Sequence, residues 1–487
     1  MIIMQSSVDS VITTAPPQPE SNTTVELKEL TTSDRPPAAF SPTSTSTVPT
    51  KPRDDRDKYK EDDGRHEPGW LPADAPSFFI SPPSLPYISS DEGIGGHLKT
   101  TASDFVVLEN TPPPPDDKPG YIWATIRRSG RTTLEVQEHF KTSLNLKDHK
   151  EVGVSGLKDK HATTTQTFSI PSFSSSEKRH LTVEEVTSLS SAVGEVLTCV
   201  PCSKKLRRNF HHSNTFTITL RSACPNPAPK IQSIIKSLEE TGIRNYYGPQ
   251  RFGSHLSGAY TGYKMLKEIQ DCKNKKQRKK ASWNAKKSVK GVFSVQAWQS
   301  MLFNCILAKR LRGDILIGDI AVPSSSTSSE PGAGDRNGAK PTETRVTGKN
   351  FEEIRLTDVS MTCPLPGSRQ LKCYPNTPAG KVESDILKMS DITEQTLTEV
   401  DAWGSRRVGF LKFEDLNFSF EVLEIEEGGW GSDVKFSFTL GTGQYATNVL
   451  REFMKNGNEE GDAREVKKEE KKRKREEEKD TANAKKT

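Results

Sequence analysis

Residues 154–166 read Val-Ser-Gly-Leu-Lys-Asp-Lys-His-Ala-Thr-Thr-Thr-Gln. A short apolar strand, Val152 to Val154, runs into Gly156 and then into Lys158-Asp159-Lys160. A strand that exits into a loop puts the next side chains at a sheet edge, where a substrate can reach them. Asp159 stands between two lysines, and nearby positive charge keeps a carboxylate ionised. An ionised, positioned carboxylate can serve as nucleophile or general base. An ordinary charged turn has the same composition.

Outward from this stretch the texture mixes strands and helices. Phe105-Val106-Val107-Leu108 is an apolar run suited to a buried strand. Thr132-Thr133-Leu134-Glu135 has the spacing of a capping box, and Val136, Phe140 and Leu144 follow at every fourth position. That predicts a helix with one apolar stripe. Phe216 to Leu220 alternates, as does Lys435 to Leu440, and both predict half-buried strands. Gly441-Thr442-Gly443 then leads into a helical segment, YATNVLREFMK. The class is α+β.

Two further elements have the make-up of an RNA surface. Asn214, Phe216, Ile218 and Leu220 share strand parity and point to one side. Ile218 and Leu220 are core residues. Phe216 is either core too or, at the strand end beside an amide, a ring to stack on a base. Residues 242–253, GIRNYYGPQRFG, hold two tyrosines, two arginines, Asn245 and Gln250. They form either an RNA contact or a structural turn over buried aromatics.

The chain has 487 residues, which at about 150 per domain allows roughly three domains. Only 32% are hydrophobic and mean hydropathy is −0.67, low for a chain folded throughout. Residues 1–70, rich in Ser, Thr, Pro and charge, are expected to be disordered, as is the charged tail 456–487. Residues 324–344 form a low-complexity loop within folded sequence. No stretch approaches the ~18 consecutive apolar residues of a membrane helix, and MIIMQSSVDS lacks the layout of a secretory signal. Seven cysteines do not make a disulfide framework, and Cys199 and Cys202 lack a second pair at zinc-ligand spacing. Residues 93–97, GIGGH, lack the strand–turn–helix setting of a dinucleotide site. Net charge is only +5, but residues 273–290 (KNKKQRKKASWNAKKSVK) carry nine Lys/Arg and no acid. That block suggests RNA contact, and Lys471 to Arg475 (KKRKR) suggests nuclear import or a solvated tail.

Read in order, these elements resemble the TruD-type pseudouridine synthases, over about residues 90–455. Lys99 to Glu109 is similar to the family's opening K-x4-DFxVxE, and Gly156 to Gln166 resembles its signature GxKDxxAxTxQ. Asn214-Thr215-Phe216 matches NxF, Asn245 to Gly253 NYFGxQRFG, and Gln299 to Asn304 QSxLFN. Pro364 to Gly367 is PLPG, and Gly443 to Glu452 resembles GxYATxxLRE. Tails and insertions make the chain most like eukaryotic members. It departs from the pattern at His161, where Arg is common, and at Ser213, where Gly is usual.

The resemblance implies a mixed-sheet catalytic domain at 71–241 and 413–455, with a family-specific α+β domain inserted at 242–412. It implies isomerisation of a uridine to pseudouridine in RNA (tRNA first, small nuclear or messenger RNA also), with no cofactor and no metal. Asp159 would be the catalytic nucleophile, with attack at C1′, attack on the base and sugar-proton abstraction all open. Lys99 and Lys158 are the candidates to hold Asp159 charged. Phe216 would stack on the uracil, Asn214 would hold its site, and Gln166, Asn245 and Arg251 complete the candidate substrate-binding set. The protein is expected to be a nuclear monomer, present also in the cytoplasm. A non-catalytic RNA chaperone or adaptor on the same fold is the competing reading.

Overall fold

A computed structural model of the protein describes Phe79 and residues 85–456, apart from 175–178, 254–255, 311, 325–342, 356–357 and 424–430. The expected tails 1–70 and 456–487, the basic run Lys471 to Arg475 and the loop 324–344 lie outside the described residues, save Ser324, Glu343, Thr344 and Asn456. The described residues all belong to one compact unit spanning 62–487. Among them, no helix is long and apolar enough to cross a membrane.

The first half of the chain supplies most of a mixed sheet. Its strands are β1 (Gly95–His97), β2 (Phe105–Asn110), β3 (Tyr121–Ser129), β4 (Gly153–Val154), β5 (Thr163–Pro171), β6 (Glu195–Cys202) and β7 (Ser213–Ala223). Helices α1 (Thr133–Ser143), α2 (Val183–Ser191) and α3 (Ala228–Thr241) belong to this half. After a long excursion the chain returns with β14 (Ser419–Leu423), β15 (Ser432–Gly441) and α9 (Ala446–Met454). The strand order is β14-β15-β7-β2-β5-β3-β6, with β1 on β7 and β4 on β5. Only the β2–β5 pair is parallel.

Alternation sets which side chains the sheet buries. In β7 Phe216, Ile218 and Leu220 point inward, and in β15 Val434, Phe436, Phe438 and Leu440 do so. Helices α3 and α9 close that core with Ile231, Ile234, Val449, Leu450 and Phe453. A second core joins Ile122, Ala124 and Ile126 of β3 and Phe168 and Ile170 of β5 to Val136 and Phe140 of α1 and Val186 of α2. Residues 93–97 prove to be a strand-forming turn. Gly96 adopts φ +93°, and a Cβ there would stand 2.6 Å from Cγ of Leu220.

The excursion builds β8 (Ile243–Arg244), α4 (Ser257–Asp271), α5 (Lys275–Lys287), α6 (Val289–Ala308), β9 (Ile320–Pro323), β10 (Thr344–Arg345), β11 (Val359–Leu365), α7 (Pro378–Met389), α8 (Glu394–Glu399), β12 (Ser405–Val408) and β13 (Phe410–Leu411). The chain leaves the sheet region through β8 and comes back through β13, and these two strands pair antiparallel. Strands β10-β9-β11-β12 form a separate sheet, against which the apolar α6 packs Trp298, Leu302 and Phe303. Asn448 of α9 donates to the carbonyls of Arg244 and Tyr246, which ties the excursion to the main sheet.

Candidate active site

Asp159 lies in the loop joining β4 to β5, whose first residue, Thr163, pairs with Val106 of β2 and Ser129 of β3. Its side chain is 45% exposed. Oδ2 accepts from Lys99 Nζ at 2.6 Å, and Oδ1 accepts from the backbone N–H of His161 at 3.1 Å. Partial burial pushes the carboxyl up, but the Lys99 ammonium and the His161 N–H outweigh it and hold the group below the usual carboxylate range. Asp159 is therefore ionised at neutral pH and open to solvent on one side. Lys99 is itself 13% exposed and sits in the left-handed region at φ +56°, a conformation that costs a non-glycine residue on the order of 1–3 kcal/mol. Its ammonium lies 4.6 Å above the Phe105 ring.

Lys158 does not pair with Asp159. Its side chain turns under the loop, where Nζ donates to Glu109 Oε2 at 2.9 Å and to Asn214 Oδ1 at 2.5 Å. Both charges of the Lys158–Glu109 pair are nearly fully buried, so removing either partner costs about 3–5 kcal/mol. Burial pushes the lysine's pKa down, while Glu109 opposes the shift. Because Asn214 Oδ1 accepts from Lys158, its Nδ2 must donate, and it faces His211 Nε2 at 3.2 Å. Burial lowers the pKa of His211, and a neutral ring with Nε2 as acceptor carries its proton on Nδ1.

Gln166 extends the same network and is fully buried. It donates to Glu109 Oε2 at 3.2 Å and to the Gly156 carbonyl at 2.7 Å, and it accepts from Arg128 and Thr133, each at 2.9 Å. Thr133 Oγ1 in turn accepts from the Lys158 N–H at 2.9 Å. The loop bearing Asp159 is thus bolted from beneath. Outside, Lys160 reaches Glu135 of α1 at 3.0 Å.

Several candidate substrate contacts have partners inside the protein. Lys158 and Gln166 bond to groups beneath the loop. Asn245 is fully buried, its amide committed to Arg407 at 2.7 Å and to the Val408 carbonyl at 3.0 Å, because residues 243–247 run beneath α6 and β12. Phe216 is core, 9% exposed, stacked on Phe438 and edge-on to Phe105. It reaches Asp159 only through Phe105 and Lys99. Arg251 is half-buried, bonded to Ser300 and Gln296 at 3.3 Å each. Glu109, Arg128, Thr133 and His211 belong to the site; Glu109 and Thr133 stood in motifs without a role there, and Arg128 and His211 stood in none. A cavity of 260 Å³ opens where the ends of β7 and β15 meet β11–β13, lined by His212, Ser213, Thr439, Gln444, Ser360 and Lys412 among others. Among the described residues, no three His, Cys, Asp or Glu side chains are placed to hold a metal ion.

Comparison with known proteins points one way. The family model for TruD, tRNA pseudouridine synthase D, matches residues 84–271 and 259–453. The chain is 29% identical over 377 residues to a tRNA pseudouridine synthase D of Thermus thermophilus, covering 77% of this chain and 93% of that one. It is 28% identical over 381 residues to the protein of the same name from Chromohalobacter salexigens, covering 77% and 98%. A crystal structure assigned as a TruD protein from Methanosarcina mazei superposes with a TM-score of 0.56 at 22% identity, covering 76% of this chain and 96% of that one. That last likeness bears on the fold.

Proposed function

The chain belongs to the TruD family of tRNA pseudouridine synthases, and from that premise we propose that Asp159 is the carboxylate through which it isomerises uridine in tRNA. As an isomerase it breaks the C1′–N1 bond, turns the uracil and joins C1′ to C5. C5 gives up its hydrogen and N1 takes up a proton, so no net oxidation occurs. The observation carrying the assignment is the Lys99–Asp159 pair: an ionised, half-exposed carboxylate on a loop that Lys158 and Gln166 fasten from below.

A uridine must leave its stack to reach Asp159, which costs roughly a few kcal/mol. Once it is there, Lys99 aims one carboxylate oxygen and the His161 N–H fixes the other. Whether that oxygen attacks C1′ or the base, or takes a sugar proton, each route requires the ionised form these contacts favour. Asn214, clamped by Lys158 and His211, fixes the end of β7 beside the cavity. Arg251 and the basic helix α5 are suited to the RNA backbone. A silent RNA adaptor would have no need of a charged carboxylate held at the surface in this way.

Tritium release from tRNA transcribed with C5-labelled uridine tests this reading, since joining C5 to the sugar expels that hydrogen. Wild-type protein should release tritium and Asp159→Ala should not. Release by both would remove Asp159 from the chemistry. Small nuclear and messenger RNA are further proposed substrates, read by the same assay. We place the protein in the nucleus and cytoplasm, as a monomer, with Lys471 to Arg475 as the import signal. An unchanged nuclear distribution after deleting those residues would remove that basis.

A further inference from the structure

Among the described residues, the most basic segment also exposes a large aromatic side chain. Helix α5 turns Ala281, Ser282 and Ala285 toward the fold and is fastened there by Arg278, bidentate to Glu399 at 2.8 Å, by Ser282 on the Glu399 carbonyl, and by Lys286 to Asp401. Lys276, Lys279, Lys280, Trp283 and Lys287 recur at three- and four-residue steps, so they share the opposite, solvent-exposed face. None of those four lysines has a carboxylate partner among the described residues, and the segment holds no acid of its own. In their midst Trp283 is 59% exposed.

The surface continues past the corner between α5 and α6. Gly291 makes that corner tight, since a Cβ there would meet the Asn284 and Ala285 carbonyls at 2.6 and 2.7 Å. Beyond it Val289 is 74% and Phe293 59% exposed, with Lys290 beside them, and Gln296 follows on the same face of α6. Gln296 accepts from Arg251, whose guanidinium lies 5.7 Å from the centre of the Tyr247 ring. A run of cations and aromatic rings therefore leads from α5 to the NYYGPQRFG turn.

Large apolar side chains left in water inside a field of unpaired cations are the pattern of single-strand RNA binding: rings for the base faces, ammonium groups for the phosphates. We propose that the solvent face of α5 and the first turns of α6 form a second RNA-binding surface, distinct from the Asp159 site, which stacks unpaired bases on Trp283 and Phe293 while Lys279, Lys280 and Lys287 hold the phosphates. Duplex RNA cannot use the rings, because its bases are already stacked. A protein interface is depleted of lysine, and a helix lying on an anionic membrane keeps its rings and lysines on opposite faces, whereas Trp283 stands among the lysines on one face. The identity of the RNA, and only that, rests on the tRNA pseudouridine synthase reading.

The test uses the full chain and a fluorescein-labelled single-stranded RNA of about 12 nucleotides, alone or annealed to its complement. Trp283→Ala/Phe293→Ala should weaken single-strand binding about tenfold or more and leave duplex binding nearly unchanged. Trp283→Phe, which keeps a ring, should restore most of the loss. Lys279→Gln/Lys280→Gln should weaken both forms and make the salt dependence for the single strand shallower by about 1.4 in log–log slope. With tRNA in the tritium assay, the aromatic double variant should raise KM more than it lowers kcat. Wild-type binding by that double variant, or equal loss of single strand and duplex, would overturn the proposal. So would unchanged RNA binding together with lost binding to phosphatidylserine vesicles, which would make the surface a lipid site. Should wild type release no tritium while these binding results hold, the catalytic reading falls and the surface stands. Tritium release together with binding unaffected by the variants has the reverse meaning.

Discussion

At the scale of single residues, the site depends on which lysine faces the aspartate. Two flanking lysines made Lys158 as plausible a partner as Lys99 in the sequence, yet strand geometry sends Lys158 inward to Glu109 and leaves the pairing to a residue 60 positions away. That choice is invisible in a linear motif, because it depends on a left-handed backbone at Lys99 and on a buried glutamate that reads as one more strand residue. The consequence is a defined pH response. With Lys99 present the Asp159 carboxyl titrates below its ordinary range, so the active anion survives as pH falls through that range and is lost only below it. In Lys99→Met only the upward push of burial remains, besides the His161 N–H. The acid limb of kcat/KM should therefore move toward neutral pH, with a drop of about 10- to 100-fold on the plateau. A limb that stays in place would show that Lys99 does not set the protonation of Asp159.

At the scale of elements, much was legible. The capping box at Thr132 and Glu135 forms both of its bonds, and the alternating runs at 216–220 and 435–440 are adjacent antiparallel strands with their apolar faces buried together. Local pattern suffices there because each element satisfies its own backbone and turns one stripe inward. The Gln166 network was not legible. It gathers groups from β2, β3, α1, the loop and β7, and no periodicity records which polar side chains meet across a sheet. Phe216 shows a related limit, since an aromatic at a strand end reads alike whether it stacks on a base or, as it does here, on Phe438. Helix α1 matters to catalysis because Thr133 props the Lys158 N–H and Glu135 meets Lys160. Replacing its cap, Thr132→Ala, should lower unfolding stability by about 0.5–2 kcal/mol in a urea melt. It should also reduce kcat. Full activity at the lowered stability would mean that the loop does not depend on the start of α1.

At the scale of the whole molecule, one chain makes the sheet, leaves it through β8 and returns beside its own departure at β13, so α9 can seal a core begun more than 300 residues earlier. The motifs do not record that Arg407, on the Gly443 carbonyl, and Asn448, on the Arg244 and Tyr246 carbonyls, lock the two parts together. Residues 325–342 connect β9 to β10, whose Ala321 and Thr344 pair directly. Replacing the segment with a short turn that keeps Ser324 should leave tritium release within about twofold, since shortening a loop lowers its closure cost, by about 0.6 kcal/mol per halving. Loss of activity would show that the segment contributes to the site. All of this architecture converges on one ionised carboxylate, and the most direct measurement is single-turnover tritium release from labelled tRNA by Asp159→Asn, which keeps the shape and removes the charge. The account predicts no release above background, with tRNA still bound at wild-type strength. Release at a rate near that of the wild type would contradict it.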